Sequence, residues 1–238
     1  MSKTVLITTA TAPPDGVPFL KMTNVAARYL TAKAALFFWA GQGIEKIVVA
    51  DATGQCLLTD EEVLLLKNMN VEVEQIYYKQ NEDLIKLKGK GYGEGLLIQF
   101  ALEKSLLLKD QTSFFKCTGK TYCRNFDEIR KLIEDNNVTN IFWRHLQPNS
   151  ELRPWADLRF FYATKDFCEK HLIPAYLKTE DRKLEVAEQF CFDVLNENLV
   201  EAKTIRPFLS GFAGWTGKLY SDITLGELDT NCPCWVNS

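Results

Sequence analysis

Ile44-Glu45-Lys46-Ile47-Val48-Val49-Ala50-Asp51 is the stretch that decides the fold. It is short and strongly apolar, with Gly41 and Gly43 before it and an Asp-Ala-Thr-Gly turn opening at its last residue. A β-branched run of this length between turn signals reads as a strand. Upstream, Asn24 is placed to cap a helix running to about Trp39, with Val25, Tyr29, Leu36 and Phe37 on repeating faces. Before that come a loop from Pro13 to Pro18 and another β-branched run, Val5 to Thr9. Downstream, Asp60 opens a short helix through Leu66, and Val71 to Tyr78 alternates as a strand. A helix over 94–108 follows, then a strand from Phe114 to Cys123 interrupted at Thr118-Gly119-Lys120. Asn125 and Glu128 have the spacing of a capping box before the stripe Phe126, Ile129, Leu132 and Ile133, and Val138 to Arg144 reads as strand. Strand alternating with helix over the first 145 residues is the pattern of an α/β layered domain with a largely parallel sheet. Asp157 to Thr164 adds an aromatic-rich strand, and helices at about 165–177 and 183–199 are expected to pack on the sheet. The tail beyond Thr204 reads as loop with a polar end.

Bulk properties narrow the classes. The net charge of −3 offers no global attraction to nucleic acid. No apolar run reaches the ~18 residues that span a bilayer. The N-terminal apolar run is short and threonine-rich, so it reads as a first strand rather than a signal peptide. The seven cysteines are odd in number and mostly sit in apolar runs, which suits reduced, buried thiols in a cytosolic protein. With two histidines in the chain, a Cys/His zinc site is not expected.

The chemistry-bearing segments are few. Lys86-Leu-Lys88-Gly89-Lys90-Gly91-Tyr92-Gly93-Glu94-Gly95 alternates lysines, then glycines, ahead of an apolar helix. Glycines admit close backbone approach and free amides at a helix start favour phosphate, so this reads as a binding loop for a phosphorylated ligand. Its glycine spacing is neither that of a P-loop nor that of the dinucleotide fingerprint. Asp51, at a strand end, is suited to a ribose or sugar hydroxyl pair, or simply opens its turn. Lys116 and Lys120 flank Cys117-Thr118-Gly119 and are either diphosphate cations or strand-edge lysines. Asp157 and Arg159, two apart on one strand face, suit general-base work or a structural ion pair. Glu185 and Glu188 share a helix face. Ser210 to Lys218 is a second glycine-rich basic segment.

Taken in order, these motifs resemble bacterial glycosyltransferases of surface-polysaccharide clusters, which build O-antigen or capsule chains. The resemblance runs from Lys3 to about Tyr220. The family's Gly-Lys-Gly-x-Gly-Glu loop is matched by Gly89 to Glu94, its Leu-Thr-Gly-Arg by Cys117-Thr118-Gly119-Lys120, and its Asp-x-Arg-Phe-Phe strand by Asp157 to Phe161. Lys120 in place of arginine keeps the charge but loses the bidentate fork. The resemblance implies a single-domain glycosyltransferase A-like fold over 1–238, a mixed, mostly parallel sheet flanked by helices, with a donor half to about 125 and an acceptor half from about 126. It implies a nucleotide-sugar donor and a glycan or lipid-linked glycan acceptor, with no nucleic acid. It also implies a cytoplasmic enzyme, peripherally associated with the inner membrane or with other polysaccharide-assembly enzymes. The chain has no Asp-x-Asp motif, so no cofactor is expected, and a divalent metal is left open. On this reading Asp51, Lys88, Lys90, Gly91, Gly93, Lys116 and Lys120 hold the donor. Asp157, Glu188 and Glu94 are the candidate catalytic carboxylates, and Arg159 and Lys218 position ligands. A nucleotidyltransferase, or a non-catalytic nucleotide- or carbohydrate-binding subunit, is the alternative.

Overall fold

Strand β1 (Thr4–Thr9) sends Val5 and Ile7 to one side and Leu6 to the other, and all three are fully buried. That alternation sets up two apolar faces on one sheet, and the helices divide between them. In this computed structural model the described residues are 3–144, 155–212, 219 and 232–237. After β1 come α1 (Val25–Ala40), β2 (Lys46–Asp51), α2 (Asp60–Asn68), β3 (Glu72–Tyr77), α3 (Glu82–Lys88), α4 (Lys90–Lys104) and α5 (Leu106–Lys109). Then follow β4 (Ser113–Thr118), β5 (Thr121–Cys123), α6 (Phe126–Asp135), β6 (Asn140–Arg144) and β7 (Ala156–Thr164). A helical stretch, α7 (Lys165–Phe167) to α8 (Ile173–Tyr176), is joined by a π-turn, and a 3-10 turn (Asp181–Lys183) leads to α9 (Ala187–Asn198), β8 (Val200–Thr204), β9 (Leu209–Gly211) and β10 (Cys232–Asn237).

The main sheet has the order β3-β2-β1-β4-β7-β6-β10-β8, and β5 pairs with β9 in a second, two-stranded sheet. The first four strands pair in parallel, with Leu6 opposite Val48 and Lys116. From β4 onward each pairing is antiparallel, so only β7 and β10 run against the other six. The mixed, mostly parallel α/β sheet read from the sequence is therefore present. One face packs Ala32, Leu36 and Trp39 of α1, Leu66 of α2 and Ile129 and Ile133 of α6. The other packs Leu97, Ile98 and Ala101 of α4, Tyr176 of α8 and Cys191 and Leu195 of α9. No described helix is long and apolar enough to cross a membrane. Cys117, Cys123, Cys168 and Cys191 are reduced and buried, Cys234 is buried, and Cys56 is exposed.

Local chemistry explains most boundaries. The Asn24 side chain accepts from the Ala27 amide and starts α1, and Thr59 with Glu62 forms a full capping box on α2. Four expectations need correction. The Lys86–Gly95 segment is not a loop: α3 runs to Lys88, Gly89 is a one-residue corner, and α4 begins at Lys90 rather than at residue 94. Asn125 does not cap α6. Its side chain instead accepts from the Phe208 amide and donates to the Arg206 carbonyl, tying in the incoming β9 segment. The helix expected from residue 183 starts at Ala187, because Leu184 takes a left-handed conformation (φ 63°) that ends the turn before it. The polar tail contains β10, which inserts between β6 and β8 and buries Cys234 and Trp235.

Candidate functional site: a cationic cleft beyond the parallel strands

Parallel strands end together, and connections leaving those ends leave a crevice there. Thr8 and Thr9 of β1, Thr118 at the end of β4, and Leu158 and Arg159 at the start of β7 line a cavity of about 240 Å³ at this edge. Helices α4 and α9 and the Ala10–Leu20 connection complete its walls.

Five cations line it: Arg28, Lys79, Lys90, Lys120 and Arg159. Arg28 comes from the buried side of α1. Its Nε donates to the Ala10 carbonyl at 2.6 Å and its Nη1 to the Met22 carbonyl at 2.9 Å. Burial lowers its pKa to about 10, against the opposing pull of Asp51. Lys120 follows the tight turn after β4, where Gly119 is required because a Cβ there would sit 2.6 Å from Thr9 Cβ. Its side chain is buried, and its ammonium has no hydrogen bond or ion pair among the described residues. Burial, reinforced by Arg28, lowers its pKa to about 7. Arg159 grips Asp157 through Nε–Oδ1 (2.9 Å) and Nη2–Oδ2 (2.6 Å).

Helix α4 supplies the opposite wall. Lys90 and Glu94 are four apart, so they share the face turned to the cavity. The glycines between and beside them serve packing. A Cβ on Gly91 would meet Ala187 and Thr179 at 3.0 Å, and one on Gly95 would meet Tyr176 Cβ at 2.4 Å. Gly93 points the other way, where a Cβ would lie 2.8 Å from Gln80 Oε1. The alternating glycines thus let one helix be squeezed between two neighbours. The amides at its start are also occupied. Asp181 Oδ2 accepts from the Lys90 amide at 2.8 Å, and the Gly91 amide adds a second bond. A protein carboxylate, not a ligand phosphate, holds the positive end of α4. Gly89 makes this approach feasible: its φ is 100°, and a Cβ there would lie 2.2 Å from Asp181 Oδ2. Gly89→Ala is expected to lower stability by at least about 2 kcal/mol, through backbone strain and displacement of Asp181. A urea midpoint unchanged from the native protein would contradict it.

Four carboxylates line the cavity: Glu82, Glu94, Asp181 and Glu188. Glu94 Oε1 accepts from Thr8 Oγ1 (2.8 Å) and pairs with Lys116 Nζ (2.7 Å), leaving Oε2 without a hydrogen bond among the described residues. Glu188 is the second residue of α9. Desolvation raises its pKa, with Glu94 and Asp181 adding to the shift against Lys90. Asp181 is raised by desolvation too, against the pull of Lys90 and the α4 amides.

The remaining candidates lie outside the cavity lining. Lys116 is fully buried beneath it, donating to the Leu158 carbonyl at 2.7 Å and to Thr118 Oγ1 at 3.1 Å besides pairing with Glu94. Asp51 accepts from the amides of Thr11, Thr53 and Gln55 and from both threonine hydroxyls, so it builds the turn-opening arrangement. Lys88 turns away to Glu180 at 3.0 Å. Lys218 lies outside the described residues. Arg28 and Asp181 escaped the sequence reading. An arginine amid the apolar positions of α1 was the available signal for the first, and nothing local marks the second.

Among the described residues no group of three or more His, Cys, Asp or Glu side chains is placed to hold a metal ion. Asp60 to Glu62 sit in the first turn of α2, where Glu62 serves the capping box and pairs with Lys33.

No family model matches the chain, and neither does any curated protein. Among solved structures it is similar to a Bacillus anthracis protein assigned as a glucose-1-phosphate thymidylyltransferase, in complex with a sucrose. The identity is 10%, with 89% of each chain covered and a TM-score of 0.43. It is also similar to a CMP:2-keto-3-deoxy-manno-octonic acid synthetase complexed with CTP, at 9% identity over 71% of this chain and 76% of that one, with a TM-score of 0.33. Likeness at this level assigns no activity to this chain.

Proposed function

We propose that this chain is a glycosyltransferase that moves a sugar from a nucleotide-activated donor to a growing O-antigen or capsule glycan, the acceptor being free or lipid-linked. The observation that carries this reading is the set of five cations, Arg28, Lys79, Lys90, Lys120 and Arg159, lining one cavity with Glu94 and Glu188. Departure of a nucleoside diphosphate leaves negative charge on the leaving oxygen, and fixed cations in a walled cleft stabilise it. Glu188 takes the proton from the acceptor hydroxyl as that oxygen attacks the anomeric carbon. Glu94, with Oε1 fixed by Lys116, offers Oε2 to a sugar hydroxyl. Asp157 acts by holding Arg159. Lys116 and Asp51 position the walls from behind.

Nucleotidyl transfer is the second reading. Five cations exceed the two charges of a diphosphate diester and suit a nucleoside triphosphate. In that reaction a sugar phosphate attacks the nucleotide phosphorus and pyrophosphate leaves. A panel of nucleotides and nucleotide sugars separates the cases. A bound ligand at a hundred times its Kd raises stability by about 2.7 kcal/mol, which a melting scan detects. Glycosyl transfer then releases nucleoside diphosphate, nucleotidyl transfer releases pyrophosphate, and a binding subunit releases neither. Activity that persists in excess chelator is expected. No melting shift with any member of the panel, together with no released product, would sink both enzymatic readings.

A further inference from the structure

Lys120 is the least compensated charge in the cleft. It is 6% exposed, and no described side chain or carbonyl pairs with its ammonium. The groups facing it are Arg28 from α1, Lys90 and Glu94 from α4, and Asp51 from the end of β2. Both carboxylates are engaged elsewhere: Glu94 by Lys116 and Thr8, Asp51 by Thr11, Thr53 and Gln55. Across the same cavity, Arg159 is tied to Asp157, and Asp181 to the start of α4. Among the described residues, then, Lys120 faces the cations Arg28 and Lys90 and two carboxylates that are bonded to other partners, Glu94 keeping only Oε2 without a hydrogen bond.

We propose that entry of a phosphate dianion into this cleft is coupled to the uptake of one proton by Lys120. This rests on the phosphate-ligand reading above and adds a linkage to it. A dianion beside Lys120 supplies the missing counter-charge and favours the ammonium form. The sign follows from the free state, where the pKa lies at about 7. Above that pH the free protein holds Lys120 mostly neutral, so binding must recruit a proton and affinity falls as pH rises. Below it the lysine is already charged, and no proton is needed. Glu188, whose pKa is raised by desolvation, also takes up a proton more readily beside an incoming anion, so Glu188→Gln is titrated alongside the native protein at both pH values.

The test is calorimetric titration of the whole chain with inorganic sulfate and with UDP, in paired buffers of different ionisation enthalpy. Sulfate carries no proton in this range, and the terminal phosphate of UDP is fully ionised above about pH 7. At about pH 8 the binding enthalpy is expected to track the buffer by nearly one proton per ligand, and at about pH 6 with Glu188→Gln the dependence vanishes for sulfate, the probe that carries no proton there. Lys120→Arg keeps the charge permanently, so it binds both probes with no buffer dependence at the higher pH. Lys120→Met loses roughly tenfold or more in affinity. Buffer-independent enthalpy in the native protein at the higher pH overturns the proposal, as does uptake retained in Lys120→Arg. So does failure of both probes to bind at millimolar concentration. Proton-linked sulfate binding with no UDP binding leaves the proposal standing and removes the nucleotide reading instead.

Discussion

Glu94→Ala lowers the stability of this protein by about 3–5 kcal/mol, the cost of stranding a buried charge. Lys116 is 0% exposed on the α4 face of β4, and Glu94 is the one carboxylate paired with it among the described residues. Removing that carboxylate leaves the ammonium its bonds to the Leu158 carbonyl and Thr118 Oγ1 and its place over the Phe161 ring at 5.7 Å. Those are dipolar or quadrupolar contacts, and none neutralises the charge. A loss of this size is a large part of the roughly 5–15 kcal/mol that holds a typical domain folded. The control is the double variant Glu94→Leu with Lys116→Met, which removes both charges and keeps the volume. It recovers most of the loss, because a buried pair contributes little beyond an apolar pair of the same shape. Chemical denaturation of the three variants checks the argument. A Glu94→Ala protein within about 1 kcal/mol of the parent would show that Lys116 does not depend on Glu94. The consequence for function is direct: an inactive Glu94→Ala enzyme is evidence of catalysis only if its fold is intact, and Glu94→Gln, which also removes the charge, is held to the same condition.

The elements of the first half were legible because their signals are local. Asn24 and Thr59 cap helices with their own side chains, and β1, β2 and β4 carry β-branched or aromatic runs between turns. The Lys86–Gly95 segment shows where local reading stops. Alternating glycines suggest an extended loop, but Gly91 and Gly95 lie on one side of a helix and Gly93 on the other, each set by a different neighbour. Those neighbours, Tyr176, Thr179 and Ala187, are some 80 residues away in the chain, so the demand for glycine is tertiary. Asp181 occupies the α4 start for the same reason, so the amides there already have a protein acceptor. Asp51 and Asp157 were recognisable as acids at strand ends. Whether such an acid faces ligand or protein depends on partners from other elements, here Thr11 and Thr53 for the first and Arg159 for the second. The strand β10 was hidden because Cys-Pro-Cys-Trp-Val-Asn carries little periodicity, and its burial comes from the strands on both sides.

Glu188→Gln reduces turnover by about 10²–10⁴-fold, the range for loss of a positioned general base. Asp157 is the competing choice, and the two carboxylates differ in their surroundings. Asp157 is held at both oxygens by Arg159 and does not line the cavity, so Asp157→Asn acts through the arginine and raises KM more than it lowers kcat. Glu188 lines the cavity, has no ion-pair partner among the described residues, and has a pKa raised by desolvation. A base with a raised pKa is better matched to proton transfer near neutrality than an ordinary carboxylate. Stability supplies an independent readout with a definite sign. Below the ordinary glutamate pKa of about 4.3, Glu188 is protonated in both folded and unfolded chains and contributes nothing. As pH rises through that value, the unfolded chain loses the proton while the folded one keeps it, so stability falls until the folded group ionises as well. Glu188→Gln removes that decline: the variant equals the parent in acid and exceeds it toward neutral pH. The acid limb of kcat/KM disappears with it. A variant that keeps activity within about threefold while Asp157→Asn abolishes kcat would return the base to Asp157 and leave Glu188 as a buried acid with no part in turnover.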